Sequence, residues 1–209
     1  MIPYSDWLND VQPDVPGCPR VVILDAVRQT AIRFCQDTML WRYNMEPLIT
    51  QVGVREYELD YPLETRVVSV RAMIWKGKKL DEKSADVLDS EDPAWRTRKG
   101  QPDGYVFDDP NTILLSHEPQ TEHELSATLV LKPSQTSQVC GDILFEEYRK
   151  EIAAGAISML MLMPKKPWTD YELAAQKEAV FLTAINKAKV RASSAFGRRV
   201  RRRVKPSLF

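Results

Sequence analysis

The hydrophobic period of this chain changes twice along its length, and that constrains the fold more than any single motif. Near the start, Ile23, Ala26, Val27, Thr30, Ala31 and Phe34 recur every three or four positions. Asp25, Arg28, Gln29, Arg33 and Gln36 fall mostly off that stripe. This spacing puts the apolar groups on one face of a helix. We place the helix at about 19–40, with Pro19 in its first turn, where a missing N–H costs nothing. From about Met45 to Lys132 the period is two. Val68, Val70, Ala72 and Ile74 alternate with Val67, Ser69, Arg71, Met73 and Trp75, and Leu125, Ala127, Leu129 and Leu131 alternate with Ser126, Thr128, Val130 and Lys132. Such alternation sends successive side chains to opposite faces of a strand. Shorter candidates lie at 48–52, 54–59, 105–107 and 112–116. The breaks carry turn chemistry: Gly53, Lys76-Gly77-Lys78, Pro102-Asp103-Gly104 and Asp109-Pro110-Asn111. Ser84 is placed to cap a short helix reaching Ser90.

The helical period then returns. A helix over about 142–163 is amphipathic at first and apolar nearly all round from Ile152 to Met163, which predicts burial on most sides. Pro164 stops it. The short linker Pro164-Lys165-Lys166-Pro167 favours an antiparallel partner. Thr169 and Glu172 have capping-box spacing, and the stripe after them is Tyr171, Ala174, Ala175, Leu182, Ile185, Ala188 and Ala192. Gly197 suits a helix stop. Before all this, a proline-rich opening (Pro3, Pro13, Pro16, Pro19) frames a short turn over Ser5 to Asp10.

The expected fold is α+β: a bundle of three long helices drawn from both chain ends, carrying an inserted antiparallel β sandwich or barrel-like domain. The helical domain is then 1–44 with 136–197, the β domain 45–135, and a basic arm 198–209.

Composition narrows the function classes. Hydrophobic residues are 44% and charged residues 28% of the 209, ordinary for a globular chain. The longest apolar run has 12 residues, Ile152 to Met163, against about 20 for a membrane span. The start, Met1-Ile2-Pro3-Tyr4-Ser5-Asp6, lacks a secretory pattern, so synthesis in a cytoplasm and no membrane partner are expected. Cys18, Cys35 and Cys140 are widely spaced, and we read all three as reduced, with Cys35 in the core. The net charge of zero hides an asymmetry. After Glu178 there is no acidic residue, and nine basic ones follow, leaving the first 178 residues nine charges negative. An acidic body with a basic end can bind an acidic surface, an identical body included.

No catalytic, cofactor or metal constellation emerges. His117 and His123 each precede a glutamate, at no spacing that defines a metal site, and we read them as exposed loop histidines. No phosphate-cradling glycine motif or nucleophile elbow is present among eight glycines. Glu147 and Glu151, interleaved with Arg149 and Lys150, read as a solvated ion-pair face rather than an acid–base pair. Met159, Met161 and Met163 read as core filling or as a subunit interface. The insert 86–95 carries Asp86, Asp89, Glu91, Asp92 and Trp95. Trp95 anchors it to the sheet, or the carboxylates dock a neighbour's arginines. Arg198, Arg199, Arg201, Arg202 and Arg203, then Lys205 and an apolar end at Leu208 and Phe209, suit an arm that folds on contact with a partner.

Several segments also resemble a known group. Tyr4-Ser5-Asp6-Trp7-Leu8, the loop from Pro13 through Pro16-Gly17-Cys18-Pro19, Leu40-Trp41-Arg42-Tyr43, Leu144-Phe145-Glu146-Glu147-Tyr148 and Lys166-Pro167-Trp168 look like small phage virion proteins. The layout resembles the head-to-tail adaptors (connectors) of tailed bacteriophages, similar to tail tubular protein A of short-tailed phages. The resemblance implies a non-enzymatic virion protein at the portal–tail junction. It would form a ring, typically of twelve copies, between the portal protein and a tail or nozzle protein, and act in genome ejection. DNA would pass through the lumen without sequence-specific binding. Residues 198–209 would be the portal-binding arm. A cyclic ring needs two complementary, non-identical faces on each subunit, and opposite charges on body and end favour encounter and register. The competing reading is a nucleic-acid-binding module acting through the arginine-rich tail. A hydrolase with a dispersed site is the third.

Overall fold

Pro19 sets the first long helix. In the computed structural model, which describes residues 1–193, β1 (Ile2–Pro3) leads through a 3-10 turn (Tyr4–Trp7) into α1 (Leu8–Val11), and α2 (Arg20–Thr38) follows with Pro19 at its N-cap. Met39 ends α2 in the left-handed region (φ 53°), its N–H on the Cys35 carbonyl. Then come β2 (Arg42–Asn44), β3 (Leu48–Ile49), β4 (Glu56–Glu58), β5 (Thr65–Trp75), β6 (Lys78–Glu82), α3 (Ala85–Glu91), β7 (Gly104–Asp109), β8 (Thr112–Leu115), β9 (Glu124–Pro133), β10 (Val139–Cys140), α4 (Asp142–Met161) and α5 (Tyr171–Ser193).

The two residues of β1 pair antiparallel with β10, Ile2 opposite Cys140. Every other strand joins one eight-stranded sheet, ordered β2-β9-β5-β6-β7-β8-β4, with β3 pairing β9 off that path. The spine is β5 against β9, from Thr65 opposite Pro133 to Trp75 opposite Leu125. Two register shifts on β5, between Val67 and Ser69 and between Val70 and Ala72, bend that spine, because a bulge adds local twist. Lys76 and Gly77, both at positive φ, turn β5 into β6. The β6–β7 pairing is parallel, Asp81 opposite Gly104. Only glycine fits at 104, since a Cβ there would lie 2.7 Å from the Asp81 carbonyl oxygen.

These features correct the expected fold. The sheet is a half-barrel curled by the β5 bulges, not a sandwich or closed barrel, and the helices are five among the described residues, not a bundle of three from the chain ends. The expectation failed because it treated the two faces of the β block as a core of their own. The inner face of the sheet (Val70, Met73, Leu80, Tyr105, Ile113, Leu129) shares one continuous core with Ile23, Phe34, Ile152 and Phe181 of the helices. Phe34 meets Tyr148 at 4.8 Å and Phe181 at 6.0 Å between ring centroids, joining α2, α4 and α5.

Local expectations are corrected too. The α5 stripe is Ala174, Phe181, Ala184, Ile185, Ala188 and Ala192, with Tyr171 and Leu182 exposed. Its cap is Asp170, which accepts the Leu173 N–H at 2.9 Å. Thr169 instead donates to the Met163 carbonyl in the linker. The apolar half of α4 is not wholly buried: Met161 is in the core, while Met159 and Leu162 face solvent. All three cysteines are buried free thiols, and burial pushes Cys140 up to about 12. Among the described residues no helix is long and apolar enough to cross a membrane.

Candidate functional site

The densest cluster of chemically active side chains forms where the start of β7 meets the end of β8. Ser116 Oγ donates to Asp103 Oδ1 at 2.7 Å and lies 3.0 Å from His117 Nδ1. The Gly104 N–H donates back to that hydroxyl at 3.1 Å, and Lys83 Nζ reaches Asp103 Oδ2 at 2.7 Å. Burial alone would raise the Asp103 carboxyl, but the Lys83 ammonium and the Ser116 hydroxyl outweigh it and hold it at about 2. Burial pushes His117 down, against the pull of Asp103. The three residue types are those of a nucleophilic triad, but the arrangement is not. A triad uses one imidazole nitrogen for the carboxylate and the other for the hydroxyl. Here Nδ1 alone faces both, and Ser116 is buried. The cluster works as a hydrogen-bonded lock closing the loop onto β7. His117 is therefore not the exposed loop residue the sequence suggested. His123 is also half-buried, edge-on to Trp75 at 5.1 Å.

The acidic insert folds as α3 and its following turn. Trp95 is buried over Val106 and Leu88, and its Nε1 donates to Asp89 at 2.7 Å. Arg55 and Arg96 stack on its indole at 4.5 and 4.7 Å. Asp89 is bonded by Arg96, and Asp92 pairs with Arg98 at 3.0 Å. Two of the four carboxylates expected to meet a neighbour thus have arginines of their own chain. Asp86 and Glu91 face solvent. Glu147 pairs with Arg191 on α5 at 2.7 Å, and Arg149 with Asp10 at 2.6 Å, so the expected ion-pair face on α4 is spread over three elements.

Two exposed apolar surfaces stand out, and both escaped the sequence reading. One is the loop between β3 and β4, where Ile49, Val52 and Val54 are exposed around Gly53, which turns at φ 77°. The flanking valines were its signal. This loop is tied to the segment leading into β9 by Thr50 N–H to the His123 carbonyl and by Gly53 N–H to the Pro119 carbonyl, both at 2.9 Å. The other is α5, where Val180, Leu182 and Val190 are exposed; Val180 and Leu182, two positions apart, flank the buried stripe on opposite sides of the helix and share no single face. Arg42, opposite Val130 on β9, donates to the Ala192 carbonyl in the last turn of α5. The seven residues from Glu124 to Val130 span about 20 Å of strand, which separates the β3–β4 loop from the last turn of α5.

The arm expected at Arg198 through Phe209, and the stop at Gly197, lie outside the described residues. Among the described residues no group of three or more His, Cys, Asp or Glu comes together as a metal site. Comparison of the sequence with protein-family models and with curated proteins gave no match.

Proposed function

We propose that this chain is a structural assembly protein, a head-to-tail adaptor that joins a phage portal to its tail. The carrying observation is exposed apolar groups in two separate places, the β3–β4 loop (Ile49, Val52, Val54) and the flanks of α5 (Val180, Leu182). A joint has to grip two different partners, and a ring subunit has to present two non-identical faces. Exposed apolar groups in two separate places serve that need. In this reading the protein works without cofactor, metal or catalysis, at the portal–tail junction of the virion, after synthesis in the host cytoplasm. It forms a ring of about twelve copies, a number that rests on the resemblance alone. DNA slides through the lumen, and the nine-charge excess of acid in residues 1–178 opposes tight phosphate binding there.

The test mixes full-length protein with the portal from the same genome and images the mixture by negative stain, beside a sample lacking residues 198–209. A ring added beneath the portal supports the reading. Its loss on truncation supports the arm. No added ring, together with a salt-dependent shift of duplex DNA by the full-length chain, overturns the adaptor in favour of a nucleic-acid-binding module.

A further inference from the structure

The outer face of the curled sheet carries two open grooves of opposite charge. The first, about 660 Å³, crosses β2, β9, β5 and β6 and is lined by Arg42, Arg71 and Lys79 with no acidic residue. Arg71 is the residue at which the β5 register shifts between Val70 and Ala72. The bulge turns it outward beside Arg42, and bulges commonly re-aim a side chain in this way. The two guanidiniums are close enough that Arg71, after burial, contributes to lowering the Arg42 pKa. Among the described residues neither the Arg71 nor the Lys79 side chain is in an ion pair.

The second groove, about 500 Å³, lies on the same face at the other end of the strand order, over β7, β8 and β4. It is lined by Glu56, Glu58, Asp108 and Asp109. The Asn111 N–H binds Asp109 at 2.7 Å, and Arg96 lies near enough to Asp108 to feel its charge. None of the four carboxylates is in an ion pair among the described residues. The exposed Asp86 and Glu91 of α3 add to the charge of this face, since α3 packs on it through Leu88 over Val106 and Leu114.

We propose that the acidic groove of one copy docks on the basic groove of the next, and that this pairing is the subunit contact of the assembly. It deepens the assembly reading and rests on it for the identity of the partner, a second copy of this chain. Charge complementarity selects that partner: each groove offers what the other lacks, across strands that run side by side. The curl directs the two grooves differently, so one contact leaves a basic and an acidic groove open at its ends. That is the heterologous geometry that closes into rings.

The experiment uses two full-length double variants, R71E/K79E and E56K/E58K, with thermal melts to confirm that each folds. Self-association is followed by sedimentation at low and high salt, and ring formation by imaging on the portal. Wild-type association should weaken with salt. Each variant alone should associate roughly tenfold more weakly or worse. An equimolar mixture should recover association as an alternating assembly, because reversed meets reversed. If folded variants still associate as wild type does, or still form rings on the portal, the groove pairing is overturned while the adaptor reading survives. If charge-dependent association holds but no ring binds the portal, the pairing stands and the adaptor reading falls. A third arm measures labelled duplex DNA. Binding lost in R71E/K79E alone, with self-association untouched, would make the basic groove a nucleic-acid site and overturn the proposal.

Discussion

Trp7 Nε1 donates to the main-chain carbonyl of Arg149 at 3.0 Å, across 142 positions of sequence. That carbonyl lies one residue past Tyr148, where α4 leaves helical geometry (φ −135°, ψ 21°). The Arg149 side chain turns back over the N-terminal segment, pairing with Asp10 at 2.6 Å and stacking on Phe145 at 4.6 Å. The kink and the N-terminal turn thus hold each other. Trp7→Phe keeps most of the apolar volume and orphans the carbonyl, which should cost about 1–3 kcal/mol. Trp7→Ala should cost about 3–5 kcal/mol. Urea denaturation of both variants measures the difference. No loss in Trp7→Phe would mean that the hydrogen bond contributes nothing, and equal losses in both would mean that the bond rather than the packing carries the effect.

Gly155 marks the closest approach of the long helices. A Cβ there would fall 2.6 Å from Thr30 Cγ2 and 2.9 Å from the Phe181 ring, and both neighbours are buried. Alanine normally favours a helix interior over glycine by about 1 kcal/mol. Overpacking costs about 1–3 kcal/mol, and here no side chain has room to swing away. Gly155→Ala should therefore lower the thermal midpoint, whereas a higher midpoint would show that α4 can shift outward.

The Ser116 lock predicts an acid-sensitive fold with two separable steps. The Asp103 pKa falls from its ordinary 3.8 to about 2, so its contribution is full above pH 3.8 and is lost as the pH falls through 2. His117 is depressed below its ordinary 6.5, so the folded state favours the neutral ring. Between the two His117 values the unfolded chain binds the extra proton, and stability rises with pH there. Thermal midpoints between pH 2 and 7 separate the groups. His117→Gln should flatten the slope just below pH 6.5, and Asp103→Asn the slope below pH 3.8. Unchanged slopes in both would detach the cluster from stability.

Trp95 tests whether α3 is a separately held piece. Its small cluster with Leu88 and Val106 is distinct from the main core. Arg55 spans it, donating to the Leu115 carbonyl at 2.8 Å as well as stacking on the indole. Trp95→Ala should raise hydrogen exchange across 85–97 while the amides of β5 and β9 stay protected. Loss of protection in both places would mean that the insert supports the sheet.

What the sequence revealed, and what it hid, follows from how far each signal travels. The helix at 20–38 and the strands β5 and β9 were legible because their burial repeats many times in their own residues. Two- and three-residue strands such as β1, β2 and β10 were not, since their pairing is decided by distant partners. The α5 stripe was misread because Tyr171 and Leu182 satisfy helical spacing as well as Phe181 does. Only Gly155 and Thr30, on other helices, pick the face that is buried. Thr169 and Asp170 are both competent caps, and the linker hydrogen bonds of Thr169 settle the choice. The lock at Ser116 joins residues 13 positions apart through a loop whose closure no local pattern announces. Both charged grooves were equally hidden, because each collects its charges from strands far apart in sequence.

The two flanks of α5 separate binding from folding. Val180 and Leu182 are 52% and 42% exposed and lie off the buried stripe, so polar substitution removes little packing. Val180 also borders a shallow groove of about 410 Å³ with Glu151 and Lys187. Surface changes of this kind usually move stability by no more than about 0.5 kcal/mol. The double variant V180D/L182D should therefore melt close to wild type. If either flank of α5 grips a partner of the adaptor, the same variant should lose that partner, because a charge would be buried without a counterion on docking. Co-sedimentation with the portal and with the tail protein reads this directly. Loss of one partner with the other retained would assign the face. Full binding to both would remove α5 from the joint and leave the β3–β4 loop as its apolar contact.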